Sequence, residues 1–153
     1  MEMRFFVRRA RPADLTQILA IERQGFGKWA WDRKLFAEYS HSCGELFLVV
    51  EVKTTVAGYC IGRLTGNRCD LESIAVSREA RGSGAADALL RSLLRRCRLR
   101  HVDRVSLMVK ETNRRAMRFY ERYGFRRLRR VQGYYEDGRA GVLYRLDFGG
   151  PQA

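Results

Sequence analysis

The run Arg81-Gly82-Ser83-Gly84-Ala85-Ala86 lies between a strand-like segment, Leu71-Glu72-Ser73-Ile74-Ala75-Val76, and an apolar-striped helix expected over residues 85–100. A glycine-bearing turn that opens a helix leaves backbone N–H groups without intrahelical acceptors, beside the positive end of the helix dipole. That is the local chemistry of a phosphate cradle. Two nucleotide motifs are excluded: Asp87 stands where the third glycine of G-x-G-x-x-G would be, and no Gly-Lys-Ser/Thr follows. Upstream, Asp70 and Glu72 are two apart on one predicted strand and so share a face. Cys43, Cys60, Cys69 and Cys97 show no C-x-x-C spacing, and His41 beside Cys43 falls short of a zinc ligand set. Buried, reduced thiols and no metal are the expectation.

Periodicity supplies the elements that must hold these residues. Residues 5–9 read as a strand, and Pro12 opens a helix with Leu15, Ile18, Leu19 and Ile21 as its apolar face. A second helix starts after Trp31, capped by Asp32, with Leu35, Phe36 and Tyr39 inward. Residues 45–52, 56–65 and 69–76 read as an antiparallel meander of three strands. After the glycine turn, Ala86, Leu89, Leu90, Leu93, Leu94 and Cys97 recur with helical period, flanked by Arg91, Arg95, Arg96 and Arg98. Residues 102–109 form a strand; Thr112 or Asn113 then caps a helix that carries Ala116, Met117, Tyr120 and Tyr123 and stops at Gly124. Residues 125–135 and 142–148 are expected to close the sheet as a hairpin, with Asp137-Gly138 in its turn. The alternation predicts an α/β (α+β) fold with a mixed sheet, parallel near its middle. With no repeat and no linker, residues 1–153 are expected to form a single domain with its core over about 4–148.

The charge of +13 reflects 30 Lys and Arg against 17 Asp and Glu, almost all of the cations being arginine. Clusters such as Arg95-Arg96, Arg126-Arg127 and Arg129-Arg130 favour anionic ligands or partners. Solvated faces, a phosphate-rich cofactor, an acidic protein surface or RNA would each account for them. No run of about 18 apolar residues is present, and residues 1–9 lack a signal-peptide core, so a cytoplasmic protein without a membrane partner is expected.

Two ordered motifs resemble those of one family, the GNAT N-acetyltransferases. Ile74-Ala75-Val76 followed by Arg81-Gly82-Ser83-Gly84-Ala85-Ala86 resembles its acyl-CoA signature, Q/R-x-x-G-x-G/A, with Arg81, Gly84 and Ala86 at the defined positions. Asn113, Ala116, Phe119-Tyr120 and Tyr123-Gly124-Phe125 resemble its N-x-x-A-x-x-x-Y-x-x-x-G-F segment at the expected distance. The resemblance spans residues 4–148 and implies the GNAT fold, a mixed central sheet with splayed parallel strands and helices on both faces. It implies acetyl-CoA as cofactor, its pantetheine bonding to Ile74-Ala75-Val76, its pyrophosphate on the N–H groups of Gly82, Ser83, Gly84, Ala85, Ala86 and Asp87, and Asn113 near the pantetheine or sulfur end. Tyr120 corresponds to the family's general acid toward the CoA sulfur, and Asp70 or Glu72 would act as base, directly or through water, on the incoming amine.

Within the family the chain is most similar to the protein N-terminal acetyltransferases, including the RimI type that modifies a ribosomal-protein alanine. Ile21-Glu22 with Trp31, Asp32, Lys34 and Phe36 resembles their first helix-loop-helix, Leu107 to Asn113 their next strand end, and Gly133 to Gly138 their tyrosine-bearing hairpin. Trp31, Tyr134 and Tyr135 would then line a peptide groove, although the tyrosines would equally serve as cross-strand packing. Met108 replaces the basic glutamate or histidine of those enzymes, and Ala140 an acidic residue after the turn. The expected activity is acetyl transfer to a protein or peptide α-amine, with ribosome association a possible consequence and no direct role on DNA. The alternatives are a small-molecule amine acetyltransferase and a non-catalytic basic module on RNA, a ribosome or an acidic partner.

Overall fold

Local chemistry sets where each element begins. The computed structural model describes residues 4–149, so the ends of the expected 1–153 domain lie outside the described residues. Pro12 opens a 3-10 turn, Pro12–Asp14, and the first helix, α1 (Leu15–Phe26), starts after it. The Asp14 carboxylate closes that turn by accepting from Arg11 N at 2.6 Å. Asp32 caps α2 (Arg33–Ser42), its Oδ1 accepting from Leu35 N at 2.9 Å. A further 3-10 turn, Gly44–Leu46, delays the next strand two residues beyond its expected start.

The seven strands are β1 (Phe6–Arg9), β2 (Phe47–Val52), β3 (Thr55–Thr65), β4 (Arg68–Val76), β5 (Arg104–Lys110), β6 (Arg126–Val131) and β7 (Gly141–Asp147). The sheet order is β1-β2-β3-β4-β5-β7-β6. Pairing is antiparallel for β1/β2, β2/β3, β5/β7 and β6/β7, and parallel for β4/β5 over Arg68↔Arg104 to Asp70↔Ser106. This is the expected mixed sheet with a parallel pair near its middle. Strand β7 inserts beside β5, which places it between the earlier two strands of the C-terminal half. Strand β6 ends at Val131, short of the expected Tyr135, because Gly133 takes φ +65° and turns the chain out of the ladder.

Two compact units are present. The first comprises the chain up to Leu64 with Leu71–Arg100, the second Thr65–Asp70 with the chain from His101. In the first, α1 and α2 bury Ile18, Leu19, Ile21, Phe36 and Tyr39 with Phe47, Val49, Tyr59 and Ile61 of β2 and β3. The third helix, α3 (Ala85–Leu99), covers the other face: a Cβ built on Gly58 would meet Leu89 at 3.2 Å, and Gly58 and Tyr59 point to opposite sides of β3. That Cβ would also stand 2.8 Å from the Ala75 carbonyl, so glycine lets β3 lie close to β4. In the second unit, α4 (Arg114–Arg122) is capped by Asn113 Oδ1, which accepts from Ala116 N at 3.1 Å. Tyr144 of β7 donates to Glu121 of α4 at 2.8 Å.

Arg8 ties the N-terminal strand to the start of α1. Its Nη1 and Nη2 meet the two Asp14 oxygens at 2.8 and 2.9 Å, and its Nε meets Glu51 at 2.7 Å. The Arg8 hydrogen bond holds the Asp14 carboxyl below its usual range. A depressed carboxyl stabilises the fold above its unfolded value, and that stabilisation disappears as pH falls through the folded value. Asp14→Asn should therefore cost about 2 kcal/mol at pH 7. In urea titrations the gap from wild type should narrow as pH falls below the unfolded carboxyl value and through the folded one; a gap unchanged by pH would contradict this.

Candidate active site

The glycine turn lies in the first unit, at the start of the third helix. Gly82 and Gly84 adopt φ +75° and +100°, and Gly84 serves as the N-cap of α3. The Ser83 hydroxyl bonds inward to the Ala80 carbonyl and accepts from Ala85 N at 3.3 Å, pinning the turn without using its outer face. Among the described residues, the N–H groups of Gly82, Gly84 and Ala86 meet no backbone acceptor. A Cβ on Gly82 would enter open space, so a ligand can come directly onto the backbone there. These features fit a pyrophosphate, with Ala85 buried beneath, Asp87 in the first helical turn and Arg81 exposed at the rim. Ile74, Ala75 and Val76 end β4 just before it, all half-buried.

Beside β4, in the same unit, is a cluster that sequence reasoning did not place in the site. Glu22 of α1 is 2 % exposed. Its Oε2 accepts from Trp31 N at 2.8 Å, and its Oε1 accepts from the Tyr59 hydroxyl. The Tyr59 hydroxyl also meets the Ser73 hydroxyl of β4 at 3.0 Å. Burial pushes the Glu22 carboxyl above its ordinary value, against the two donors that lower it, and burial with the Glu22 charge pushes the Tyr59 phenol up as well. Trp31 stacks on Tyr39 at 5.1 Å between ring centroids. Arg63 lies 5.6 Å over the Tyr39 ring and pairs with Glu72 at 3.4 Å. Glu72 and Ser73, neighbours on β4, thus both reach side chains of the β3 face that carries Tyr59 and Arg63.

The second unit holds the remaining candidates. Asp70 sits half-buried in the parallel ladder opposite Ser106. Asn113 spends its Oδ1 on the α4 cap. Tyr120 is 6 % exposed and packs edge-on against Phe125, with ring centroids 5.6 Å apart. Met108 fills the place of the expected base: a Cβ on Gly141 would lie 2.7 Å from Met108 Cε and 3.1 Å from the Tyr134 ring, so thioether and phenol flank that glycine. Tyr134 and Tyr135 lie in the loop after β6 rather than on a strand, which removes the cross-strand reading. Their rings meet edge to face at 5.0 Å. Lys110 holds the loop through Asp137 at 2.8 Å and lies 5.2 Å over Tyr135, whose phenol burial pushes up to about 12.

Comparison with known proteins settles the class. Residues 14–125 match the acetyltransferase (GNAT) family. The chain belongs to that family. It is 31 % identical over 138 residues to an uncharacterised N-acetyltransferase of Methanocaldococcus jannaschii, covering 90 % of this chain and 88 % of the relative. It is 28 % identical over 152 residues to an N-alpha-acetyltransferase of Saccharolobus solfataricus, covering 91 % and 90 %. The crystal structure of the ribosomal-protein-S18-alanine N-acetyltransferase from Escherichia coli superposes with a TM-score of 0.84 at 24 % identity, covering 98 % of this chain and 99 % of that one. The GNAT fold, acetyltransferase activity and acetyl-CoA as cofactor are thereby this chain's own. Among the described residues, no helix is long and apolar enough to cross a membrane.

If the turn holds the cofactor, a side chain at Gly84 must hurt binding, because φ +100° excludes residues with a Cβ at roughly 1–2 kcal/mol. Gly84→Val should weaken acetyl-CoA binding roughly tenfold by calorimetry. Unchanged affinity would place the cofactor elsewhere.

Proposed function

We propose that this GNAT enzyme transfers the acetyl group of acetyl-CoA to the N-terminal α-amine of a protein or peptide. The observation that carries the reading is the α1–α2 segment, where Trp31 stacks on Tyr39 and donates its backbone N–H to Glu22. It fixes an aromatic wall beside the middle of β4, where Arg63 over the Tyr39 ring pairs with Glu72, and supports a peptide groove there. Trp31 on this wall, and Tyr134 and Tyr135 on their loop, are the proposed acceptor-binding residues. The N-alpha-acetyltransferase relative and the ribosomal-protein-alanine enzyme of the same fold support the same acceptor. The four buried cysteines, none in a disulfide, support a cytoplasmic setting.

When bound, acetyl-CoA supplies a thioester carbonyl and a thiolate leaving group. The N–H groups of the 82–87 turn would hold its pyrophosphate, Ile74 to Val76 would bond its pantetheine as an added strand, and Asn113 would reach it through the side-chain amide that capping leaves over. Tyr120 would give its phenolic proton to the sulfur. Asp70 and Glu72 are the strand carboxylates that the family resemblance offers for the amine proton. Glu72 is held by Arg63, which favours its charged form.

The arginines support one further role. Arg114, Arg118 and Arg127 line an open groove of about 740 Å³ on the second unit, where Glu111 is already engaged by Arg130 at 2.6 Å. This groove would dock the enzyme near RNA, as on a ribosome. Binding to a single-stranded RNA should then fall steeply with salt and weaken in Arg118→Glu; salt-independent binding would refute the docking.

The enzyme claim rests on Tyr120. With acetyl-CoA and a panel of N-terminal peptides, polyamines and aminoglycosides, CoA thiol should appear with peptides, and Tyr120→Phe should lower kcat by about 100-fold. Turnover with polyamines or aminoglycosides alone would move the acceptor to small molecules. An undiminished Tyr120→Phe rate would remove its role as acid.

A further inference from the structure

We propose that Glu22, in place of Asp70 or Glu72, is the proton acceptor for the incoming amine, reached through Tyr59 and Ser73, and that this relay supplies the base missing at Met108. The proposal rests on the N-terminal acetyltransferase reading. Ser73 is the outer end: it is half-buried on β4 and directly precedes Ile74, the first residue assigned to the pantetheine. Glu22 is the inner end, sealed by α1 and by the α1–α2 segment through Trp31 N. Tyr59 links them, its hydroxyl bonded to both Glu22 Oε1 and Ser73 Oγ. The three groups all lie in the first unit.

The proton count closes. As the amine nitrogen of the acceptor approaches, one ammonium proton goes to Ser73 Oγ, the Ser73 hydroxyl proton to Tyr59, and the Tyr59 phenolic proton to Glu22 Oε1. The C–N bond forms and the C–S bond breaks. The second nitrogen proton leaves to solvent, Tyr120 protonates the sulfur and is reprotonated from solvent, and after product release Glu22 returns its proton to solvent by the reverse transfer through Tyr59 and Ser73, for a net release of one proton. A carboxylate with almost no exposure is suited to accept, since burial raises its proton affinity above the ordinary carboxylate range. The other titratable groups facing this region are Tyr39 of α2, Arg63 of β3 and Glu72 of β4, and the last two neutralise each other across 3.4 Å. Met108, a thioether, can take no proton.

The test compares pH profiles of kcat/KM for wild type, Glu22→Gln, Ser73→Ala and Tyr59→Phe, using an N-terminal peptide and acetyl-CoA. It adds a carbon-13 titration of the Glu22 carboxyl in the free protein, identified by its loss in Glu22→Gln. In wild type kcat/KM should rise with pH through an inflection that coincides with the Glu22 titration, because kcat/KM reports ionisations of the free enzyme. Glu22→Gln and Ser73→Ala should each lose about 100-fold in kcat/KM near neutral pH and lose that inflection, and the double variant should fall no further. KM for acetyl-CoA should not move. Should Glu22→Gln fail to fold, Ser73→Ala at the outer end decides. A wild-type profile in Ser73→Ala, or a Glu22 midpoint that misses the kinetic inflection, overturns the relay while leaving the activity intact. Absence of any peptide turnover by wild type overturns the activity and the relay together.

Discussion

A buried carboxylate organises the first unit. Glu22 is removed from water and keeps its place only because a backbone N–H and a phenol point at it. Those two donors come from the α1–α2 segment and from β3, so satisfying one charge fixes how the segment lies against the sheet. The same bond orients Tyr59, whose hydroxyl then meets Ser73 on β4. Trp31, held by its own N–H, stacks on Tyr39, and Tyr39 carries Arg63 and through it Glu72. Remove the carboxylate and the aromatic wall, the orientation of Tyr59 and the surroundings of Glu72 all lose their reference point.

The anion cradle follows from a different constraint. Positive φ at Gly82 and Gly84 directs N–H groups outward at the start of a helix whose apolar stripe, Leu89, Leu90, Leu93 and Cys97, is fully buried. The helix is thus anchored by its core face while its first turn stays open. A flexible loop could present the same N–H groups, but ordering it would subtract from affinity.

Much of this was legible in the sequence. Helical spacing from Ala86 to Cys97 and the glycine pair located α3 and its turn, and Asp32 and Asn113 announced themselves as caps by side-chain type. Pro12 was legible as a helix opening but made a separate 3-10 turn, and the expected strand ran through Gly133, whose positive φ ended β6 early and moved Tyr134 and Tyr135 off the strand. Glu22 was harder. In the sequence it stands in a motif with Ile21 and Trp31, but nothing there gives it a chemical role. Only the tertiary partners at 31, 59 and 73, far apart in sequence, mark it as a desolvated carboxylate. Two signals pointed near it, the Ile21-Glu22 and Trp31 motif of the first helix-loop-helix and the thioether of Met108 where related enzymes carry a base.

The most direct measurement of the central claim is the position of the acetyl group on a peptide that carries both a free N-terminus and an internal lysine. After incubation with the enzyme and acetyl-CoA, tandem mass spectrometry should locate the acetyl group on the first residue, with the lysine unmodified. Acetyl on the lysine side chain, or a peptide left unmodified while the protein binds acetyl-CoA, would contradict the account.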